Sequence, residues 1–293
     1  MMRILVVGSA GLLGSYLYRY GKSKNHEMVG LSRSASPCTD IQGDATDFEW
    51  LSRQVKGAKC EIVVNTLKFK GSTDDCETRK EECWKANYLV PEKLAALQKE
   101  LGFGLVQIST DWAFDGSENR DYKETDVPYP RNFYAFSKYA AELAVAGCSK
   151  CMVLRTNGLF GFELPARNFM ARFLESAKAG KRFDAATDQI AQPISALALS
   201  KIIIELAEKG EWPGMLHATG PDLISRYELA LLFAAHFKLQ KGLVGQSTSA
   251  ARSIFIPKKI GMDISKAERM LGRKIEHIGR MLDDLDAFEK VRS

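Results

Sequence analysis

The chain has 293 residues, of which 45% are hydrophobic and 26% charged, and its formal net charge is +5. This length suits one extended domain or two smaller ones with a large core. No apolar run is long enough to cross a bilayer, and no signal peptide precedes the first predicted strand, so we expect a cytoplasmic protein without a membrane partner.

The first structural signal is a strand followed by a glycine turn and a helix. Residues 4–7 are a continuous apolar run, which is typical of a parallel strand covered on both faces. Gly8 favours a tight turn, Gly11 allows a ligand close to the backbone, and Gly14 allows the helix to pack on the strand. The N–H groups of the first helical turn then form an anion site. A glycine turn without a ligand is the alternative.

The end of the second predicted strand, residues 27–31, indicates the cofactor. An acidic residue at this position accepts hydrogen bonds from the ribose hydroxyls of NAD, but the chain has Ser32 and Arg33. An arginine beside hydroxyls suits the 2′-phosphate of NADP through charge-assisted hydrogen bonds. We therefore expect NADP(H) in preference to NAD(H), with a solvated surface arginine as the alternative.

Two loops that follow are expected to border the cofactor. Asp47 is a candidate helix N-cap, and Asp44 before it is a candidate acceptor for the adenine amino group. Residues 61–65 predict the next strand, and the loop after it, which includes Leu67, is expected to pass the middle of the cofactor.

The middle of the chain completes the predicted sheet. Residues 74–101 are expected to be helical, with Pro91 interrupting the helix and Gly102 closing it. Residues 105–109 and 152–156 predict two further strands. The repeated alternation of strand and helix predicts an α/β fold with a doubly wound parallel sheet of the Rossmann type. Its ligand crevice is expected outside the carboxyl ends of the strands.

From Asn157 onward, predicted strands and helices no longer alternate regularly. We expect an NADP-binding domain at residues 1–156 and a smaller substrate-binding lobe at residues 157–293, with some segments returning to the main sheet. Helices are predicted at 165–179, 196–208, 227–237 and 278–289, and strands at 189–194 and 215–218. Basic residues in the lobe are candidate contacts for the diphosphate of a nucleotide sugar, although such residues are more often solvated charges. They are Lys178, Lys181, Arg182, Arg252, Lys258 and Lys259.

Charge and cysteine content predict neither a nucleic-acid partner nor a metal. The 41 basic residues are scattered among 36 acidic ones, and no nucleic-acid-binding motif accompanies them. Cys148 and Cys151 form a Cys-x-x-Cys, but the second pair that a zinc site requires is missing from the sequence. We interpret them as reduced thiols and expect no bound metal.

The residues that predict chemistry are Thr110, Tyr134 and Lys138. Tyr134 and Lys138 lie one turn apart on a predicted helix at residues 133–147. A neighbouring cation favours a phenolate, so we expect Lys138 to lower the pKa of Tyr134 below its ordinary value of about 10. Tyr134 then donates a proton to a carbonyl oxygen as a hydride arrives, and Thr110 hydrogen-bonds the same oxygen. Tyr-x-x-x-Lys alone is common in helices. We predict a reductase site because this pattern occurs together with Thr110 and the glycine turn.

On these motifs the chain resembles the extended short-chain dehydrogenase/reductase family, and within it the dTDP-4-dehydrorhamnose reductase branch. The resemblance covers nearly the whole length and is carried by residues 8–14, 108–116, 134–138, 155–161, 188–193 and 216–220. It implies NADPH-dependent reduction of a 4-keto group on a nucleotide-linked 6-deoxyhexose.

The resemblance also implies roles for single residues. Tyr134 is the implied proton donor, Lys138 binds the nicotinamide ribose, and Thr110 with Asp111 contacts the sugar. The implied cofactor contacts are Gly8, Gly11, Leu12 and Leu13 around the pyrophosphate, Asp44 and Ala45 at the adenine, and Asn87 near the nicotinamide.

The chain departs from the family at two places in the expected substrate pocket. Gly158 stands where the family usually has a tryptophan that packs on the sugar. The loop at residues 68–71, Lys-Phe-Lys-Gly, is longer and more basic than the usual run of small residues. The identity of the sugar is therefore less firmly indicated than the reaction.

Two other functions are compatible with the same motifs. The regulatory beta subunit of methionine adenosyltransferase is similar to this branch, so an NADP-binding regulatory subunit is one alternative. A nucleotide-sugar epimerase or dehydratase is the other, although an epimerase favours an acidic residue at position 32 or 33, and Trp112 after Asp111 fits a dehydratase poorly. The sequence leaves a homodimer open.

Overall fold

The computed structural model describes residues 1–251 and 253–290. Its strands are β1 Arg3–Val7, β2 Glu27–Ser32, β3 Ile41–Gln42, β4 Ile62–Asn65, β5 Gly104–Thr110, β6 Cys151–Thr156, β7 Phe183–Ala186, β8 Ile190–Ala191, β9 Gly214–His217, β10 Ile224–Ser225 and β11 Val244–Ser247. Its helices are α1 Leu12–Ser23, α2 Phe48–Ala58, α3 Asp75–Thr78, α4 Lys80–Trp84, α5 Val90–Leu101, α6 Phe133–Val145, α7 Phe169–Lys178, α8 Ala196–Glu208, α9 Arg226–His236, α10 Ser265–Leu271 and α11 Ile278–Lys290.

The central sheet has the order β3-β2-β1-β4-β5-β6-β9, and each pair of neighbours is parallel. The chain moves outward from β1 in one direction through β2 and β3, and in the other through β4, β5 and β6. This is the doubly wound sheet that the sequence predicts. The order reverses between β1 and β4, so the glycine turn after β1 lies at the switch point where such sheets bind ligands.

Helices cover both faces of the sheet because its strands are apolar on both sides. One core contains α1, α8 and α11 against side chains such as Ile4 and Val6, and the other contains α2 and α5 against Leu5 and Val7. The segment β9 belongs to the main sheet, where it pairs with β6. Outside this sheet, β7 pairs with β11 and β8 pairs with β10. Among the described helices, none is both long and apolar enough to span a membrane.

The helix expected at residues 74–101 is divided into α3, α4, a π-helical turn at Lys85–Leu89, and α5. Pro91 lies in the first turn of α5 and has no N–H group to donate to the carbonyl four residues earlier, which accounts for the irregular turn before it. Gly102 adopts a left-handed conformation and closes α5, as predicted.

Differences in the C-terminal part concern short elements. The strand expected at residues 189–194 is reduced to β8, and the helix expected from residue 165 begins only at Phe169, where Asn168 provides the N-cap. The sequence analysis missed β7, β10, β11 and α10 in this part, and β3 in the N-terminal part. These elements are short, so their own residues give little periodicity.

We predict that the glycine turn tolerates no added methyl at Gly14. A Cβ at this position lies 2.3 Å from the Gly8 carbonyl oxygen and 2.8 Å from the Ser9 Cα, both of which are backbone atoms. Gly14→Ala should lower the free energy of unfolding by about 1–3 kcal/mol, measured by urea denaturation.

Gly57→Ala is the matched control, because a Cβ on Gly57 within α2 meets no atom within 4 Å. It should raise the free energy of unfolding by about 0.5–1 kcal/mol. Equal stability of the two variants would contradict the close packing of α1 on the turn.

Candidate active site

The predicted site residues gather at one edge of the sheet. Gly8 follows β1, Ser32 ends β2, Leu67 lies just beyond β4, and Thr110 ends β5. Because all these strands are parallel, their carboxyl ends open onto the same cleft. Helix α6 lies against β5 and brings Tyr134 and Lys138 to this edge.

The turn after β1 has the geometry of an anion site. Gly8 has a φ of +90°, and a Cβ there would lie 2.9 Å from both the Leu67 nitrogen and the Thr66 hydroxyl oxygen. Helix α1 begins after Gly11 without a side-chain cap and without an acidic residue in its first turn. Its first N–H groups and the positive end of its dipole therefore suit a pyrophosphate.

Leu12 and Leu13 open α1, and Leu13 is buried beneath the turn. Leu67 is half-buried on the opposite side of the turn, and its N–H donates to the Asn65 side chain over 3.2 Å. These positions lie around the expected path of the dinucleotide, and their contacts with it stay predictions.

Ser32, Arg33 and Asp44 form a polar group at the ends of β2 and β3. One guanidinium nitrogen of Arg33 lies 3.5 Å from the Asp44 carboxylate, and the Arg33 side chain is 56% exposed. Burial raises the pKa of Asp44, but hydrogen bonds from Thr46 and the charge of Arg33 lower it further, so the net shift is downward. The carboxylate thus holds Arg33 at the rim of the cleft, and Ala45 is buried beside it.

Asn87 is fully buried in the π-helical turn and is bonded entirely within the protein. Its Oδ1 accepts from the Phe69 N–H over 2.8 Å, and its Nδ2 donates to the Ser137 hydroxyl over 3.0 Å. Asn87 thereby ties the loop after β4 to α6. Asn87 therefore positions these elements, and its expected place near the nicotinamide stays a prediction.

Thr110, Asp111 and Tyr134 form a connected group. The Thr110 hydroxyl donates to the Asp111 carboxylate over 3.2 Å, and Asn157 donates to the other carboxylate oxygen. The Thr110 side chain also interacts with the Tyr134 phenol and lowers the pKa of the phenol. The Trp112 ring meets the Tyr134 ring edge-on, with 5.9 Å between centroids, and fixes the ring orientation.

The expected lowering of the Tyr134 pKa is wrong for this structure. Burial raises the pKa of the phenol above its ordinary value, and this effect exceeds the lowering by the Thr110 hydrogen bond. The charge of Asp111 also raises it. Tyr134 is therefore a protonated phenol at neutral pH, which is the form that a proton donor requires.

Lys138 is buried at 3% exposure, and burial lowers the pKa of its amine to about 8. The negative charge of Glu142, one turn further along α6, opposes this shift. Within the described parts of the chain, no acceptor lies within hydrogen-bonding distance of the amine. Lys138 is therefore close to its charge transition at physiological pH.

Glu142 belongs to a buried network that the sequence analysis did not identify. Its carboxylate accepts two hydrogen bonds from Arg155, at 2.9 and 2.7 Å, and one from the Ser109 hydroxyl at 2.5 Å. Glu142 and Arg155 are both about 2% exposed. The signal was present in the sequence, because Tyr134, Lys138 and Glu142 follow at intervals of four on one helix face.

Gly158 has a φ of +51°, and an added Cβ would lie 3.1 Å from the Pro193 Cβ. A side chain at this position is strained by both the backbone and its neighbour. The tryptophan of the family therefore has no equivalent at this point of the pocket wall.

The basic residues proposed for a diphosphate are mostly surface groups. Lys178, Lys181, Lys258 and Lys259 are exposed, and Arg182 pairs with Asp184 over 2.7 Å. Arg252 lies outside the described residues. Cys148 and Cys151, which the sequence analysis interprets as reduced thiols, are both buried and free.

The sheet order, the glycine turn at its switch point and the group around Thr110 and Tyr134 are those of an extended short-chain dehydrogenase/reductase. More narrowly, the chain belongs to the family described as "RmlD substrate binding domain", whose model matches residues 2–287.

Individual relatives agree with this family. A dTDP-4-dehydrorhamnose reductase from Mycobacterium tuberculosis is 29% identical over 230 residues, which cover 77% of this chain and 72% of that protein. The structure of a hypothetical dTDP-4-dehydrorhamnose reductase from Sulfolobus tokodaii superimposes with a TM-score of 0.84 at 31% identity, and covers 96% of this chain and 98% of that one. The Bacillus anthracis dTDP-4-dehydrorhamnose reductase in complex with NADP shares the fold, with a TM-score of 0.87 at 21% identity and coverage of 98% and 99%.

We predict that Arg33 distinguishes the two nicotinamide cofactors. Arg33→Ala should weaken NADPH binding about 10- to 100-fold, because one charge-assisted contact to the 2′-phosphate is lost, and should leave NADH binding nearly unchanged. Fluorescence titration of both dinucleotides measures this. Arg53→Ala, which removes an exposed arginine of α2, is the control. Equal NADPH and NADH affinities in the wild type would contradict the assignment.

We also predict an alkaline limit on activity that depends on Glu142. Lys138 loses its charge as the pH rises through about 8, so kcat/KM for ketone reduction should fall above this pH. Glu142→Gln removes the charge that raises the Lys138 pKa, and should move this limb to lower pH. The pH profile of each enzyme is the measurement.

The control for this profile is Glu205→Gln, which removes a carboxylate that pairs with Arg273 on another part of the protein. Its alkaline limb should match that of the wild type. NADPH binding by Glu142→Gln verifies that the variant is folded. A limb that stays in place, or moves to higher pH, in folded Glu142→Gln would contradict the coupling.

Proposed function

We propose that this protein is an NADPH-dependent reductase that acts on the 4-keto group of a nucleotide-linked 6-deoxyhexose. The proposal rests on one observation: a protonated phenol and a threonine hydroxyl interact at the sheet edge that also carries the glycine turn, and a buried lysine follows the phenol by one turn of the same helix. The family and the names of its relatives support the same reaction class.

The residues present fit a dinucleotide cofactor. The uncapped start of α1 suits its pyrophosphate, and Arg33 at the end of β2 suits a 2′-phosphate. Lys138 is buried one turn after Tyr134 on α6, which suits the contact to the nicotinamide ribose that the resemblance implies. NADP(H) is therefore the favoured cofactor and NAD(H) an alternative. The Bacillus anthracis relative, crystallised with NADP, is in keeping with this preference.

When bound, the reduced cofactor supplies a hydride to the ketone carbon. Tyr134 gives its hydroxyl proton to the ketone oxygen, which becomes the alcohol of the product. The Thr110 hydroxyl, which donates to Asp111 in the structure, turns to donate its one hydrogen to the same oxygen and stabilises the negative charge that develops there. The positive charge of Lys138 stabilises the phenolate that Tyr134 leaves behind, and a proton from solvent then restores the phenol.

The substrate class is inferred from the relatives and from the pocket. The relatives are named as reductases of a dTDP-linked sugar, which supports a thymidine nucleotide as the carrier. Gly158 changes the pocket wall next to Asp111, so the sugar accepted by this protein need not be that of the relatives.

The direct test replaces the phenol. Tyr134→Phe should lower kcat for reduction of a dTDP-linked 4-keto-6-deoxyhexose by at least about 100-fold, followed as loss of NADPH absorbance. Its affinity for NADPH should stay unchanged. Tyr139→Phe, which alters another tyrosine of the same helix, is the matched control and should retain activity.

An unchanged rate in Tyr134→Phe would remove Tyr134 from the mechanism. If the wild type binds NADPH but turns over none of these sugars, and instead retains a partner enzyme in stoichiometric amount, a regulatory subunit would replace the reductase.

A further inference from the structure

Arg226 has a fixed backbone position and takes no part in the proposed transfer of hydride and proton. It is the first residue of α9, directly after Ser225, which forms a capping box with Glu228. Glu228 accepts from the Ser225 N–H over 2.7 Å, and the Ser225 hydroxyl accepts from the Glu228 N–H over 3.1 Å. The backbone of Arg226 is therefore fixed against the short β8–β10 pair.

Its guanidinium group lies in the wall of the candidate active site. One terminal nitrogen is 3.6 Å from the position that a Cβ on Gly158 would occupy. Arg226 lines a small recess there together with Asn157, Gln189 and Pro193. The charge of Arg226 affects Asp111. Burial raises the pKa of Asp111 to about 6, and the positive charge of Arg226 lowers this pKa. The charges of Arg226 and of the carboxylate that contacts Thr110 therefore interact across this wall.

The hydrogen-bonding capacity of Arg226 is not used inside the protein. Within residues 1–251 and 253–290, its guanidinium group has no acceptor at hydrogen-bonding distance. The oxygens of Asp111, the nearest carboxylate in this wall, accept instead from Thr110 and Asn157. The Phe169 ring stacks on the guanidinium with 5.2 Å to its centroid, which covers one face and leaves the N–H edge open.

A half-buried guanidinium without an acceptor is unfavourable unless something else binds it. Burial lowers the pKa of Arg226, and the attraction of Asp111 compensates only in part. The planar fork of arginine matches two adjacent oxygens, which it binds through parallel N–H groups. A sugar ring in this cleft presents such pairs as neighbouring hydroxyl or carbonyl oxygens.

The neighbouring glycine strengthens this interpretation. At Gly158 the left-handed backbone and the contact with Pro193 disfavour any large side chain. The wall at this point is therefore cationic and able to donate hydrogen bonds, in place of an apolar ring face. Recognition by such a wall depends on sugar oxygens and not on stacking.

Resting on the proposed function, we propose that Arg226 is a specificity-determining residue that binds the hexose of the nucleotide sugar. Its N–H edge donates to a pair of adjacent oxygens on the ring, on the side of the pocket formed by Gly158 and Asn157. The diphosphate of the substrate is the other possible oxygen pair. The position of Arg226 beside Asp111, which is the expected sugar contact, favours the hexose.

The test measures equilibrium binding to the complex with NADP⁺, so that it does not depend on turnover. Arg226→Ala should weaken binding of a dTDP-linked 6-deoxyhexose about 10- to 100-fold in calorimetry, because a charged donor pair is lost. Binding of dTDP alone should match the wild type. Arg226→Lys, which keeps the charge and loses the fork, should restore only part of the affinity.

Arg280→Ala is the matched control, because Arg280 is an exposed arginine on α11 of the same lobe. Unchanged NADP⁺ affinity and melting temperature verify the fold of each variant. Equal binding of the dTDP-hexose by wild type and Arg226→Ala would overturn this inference alone. An equal loss for dTDP and for the dTDP-hexose would overturn it too, since the fork would then bind the diphosphate.

Other results of these experiments would overturn the proposed function. If the wild type binds the dTDP-hexose but reduces no 4-keto derivative of it, the reductase assignment is overturned, while the comparison of Arg226→Ala with wild type still decides the inference. If the wild type binds no dTDP-linked hexose, the substrate class is wrong and the inference falls with it.

Discussion

The buried ion pair between Glu142 and Arg155 determines where the reacting groups lie. It joins α6 to β6, and the additional hydrogen bond from Ser109 joins the same carboxylate to β5. Tyr134 and Lys138 lie two turns and one turn earlier on that helix, so their positions follow from this contact. Removing one member of a buried pair leaves an uncompensated charge, so the pair favours this position of α6 over others.

The same burial defines the electrostatics of the site. Desolvation holds Tyr134 as a neutral phenol and brings the Lys138 amine close to neutrality, while Glu142 preserves its charge. A phenol that holds its proton at neutral pH is still a competent acid here, because the alkoxide formed from a ketone is a far stronger base than a phenolate. Lys138 then acts mainly after proton transfer, when it faces a negatively charged oxygen.

The parts of the fold and site that local sequence determines were predictable. The apolar strand runs, the glycine turn, the N-cap at Asp47 and the Thr110 and Tyr134 positions all depend on residues close in sequence. What was missed depends on tertiary contacts. The pKa of Tyr134 follows from burial, and the role of Glu142 and the internal hydrogen bonds of Asn87 depend on partners some 13 to 50 residues away. Arg226 reaches the pocket only because α9 packs beside Gly158.

The central claim is that this cleft transfers a hydride from the nicotinamide to the ketone carbon of a nucleotide sugar. The most direct measurement supplies NADPH carrying deuterium at the transferred position and a dTDP-linked 4-keto-6-deoxyhexose, and locates the label in the product by nuclear magnetic resonance. The account predicts one deuterium at carbon 4 of the sugar for each NADPH oxidised. Oxidation of NADPH that leaves carbon 4 unlabelled, or saturating binding of both compounds without any reduction, would contradict it.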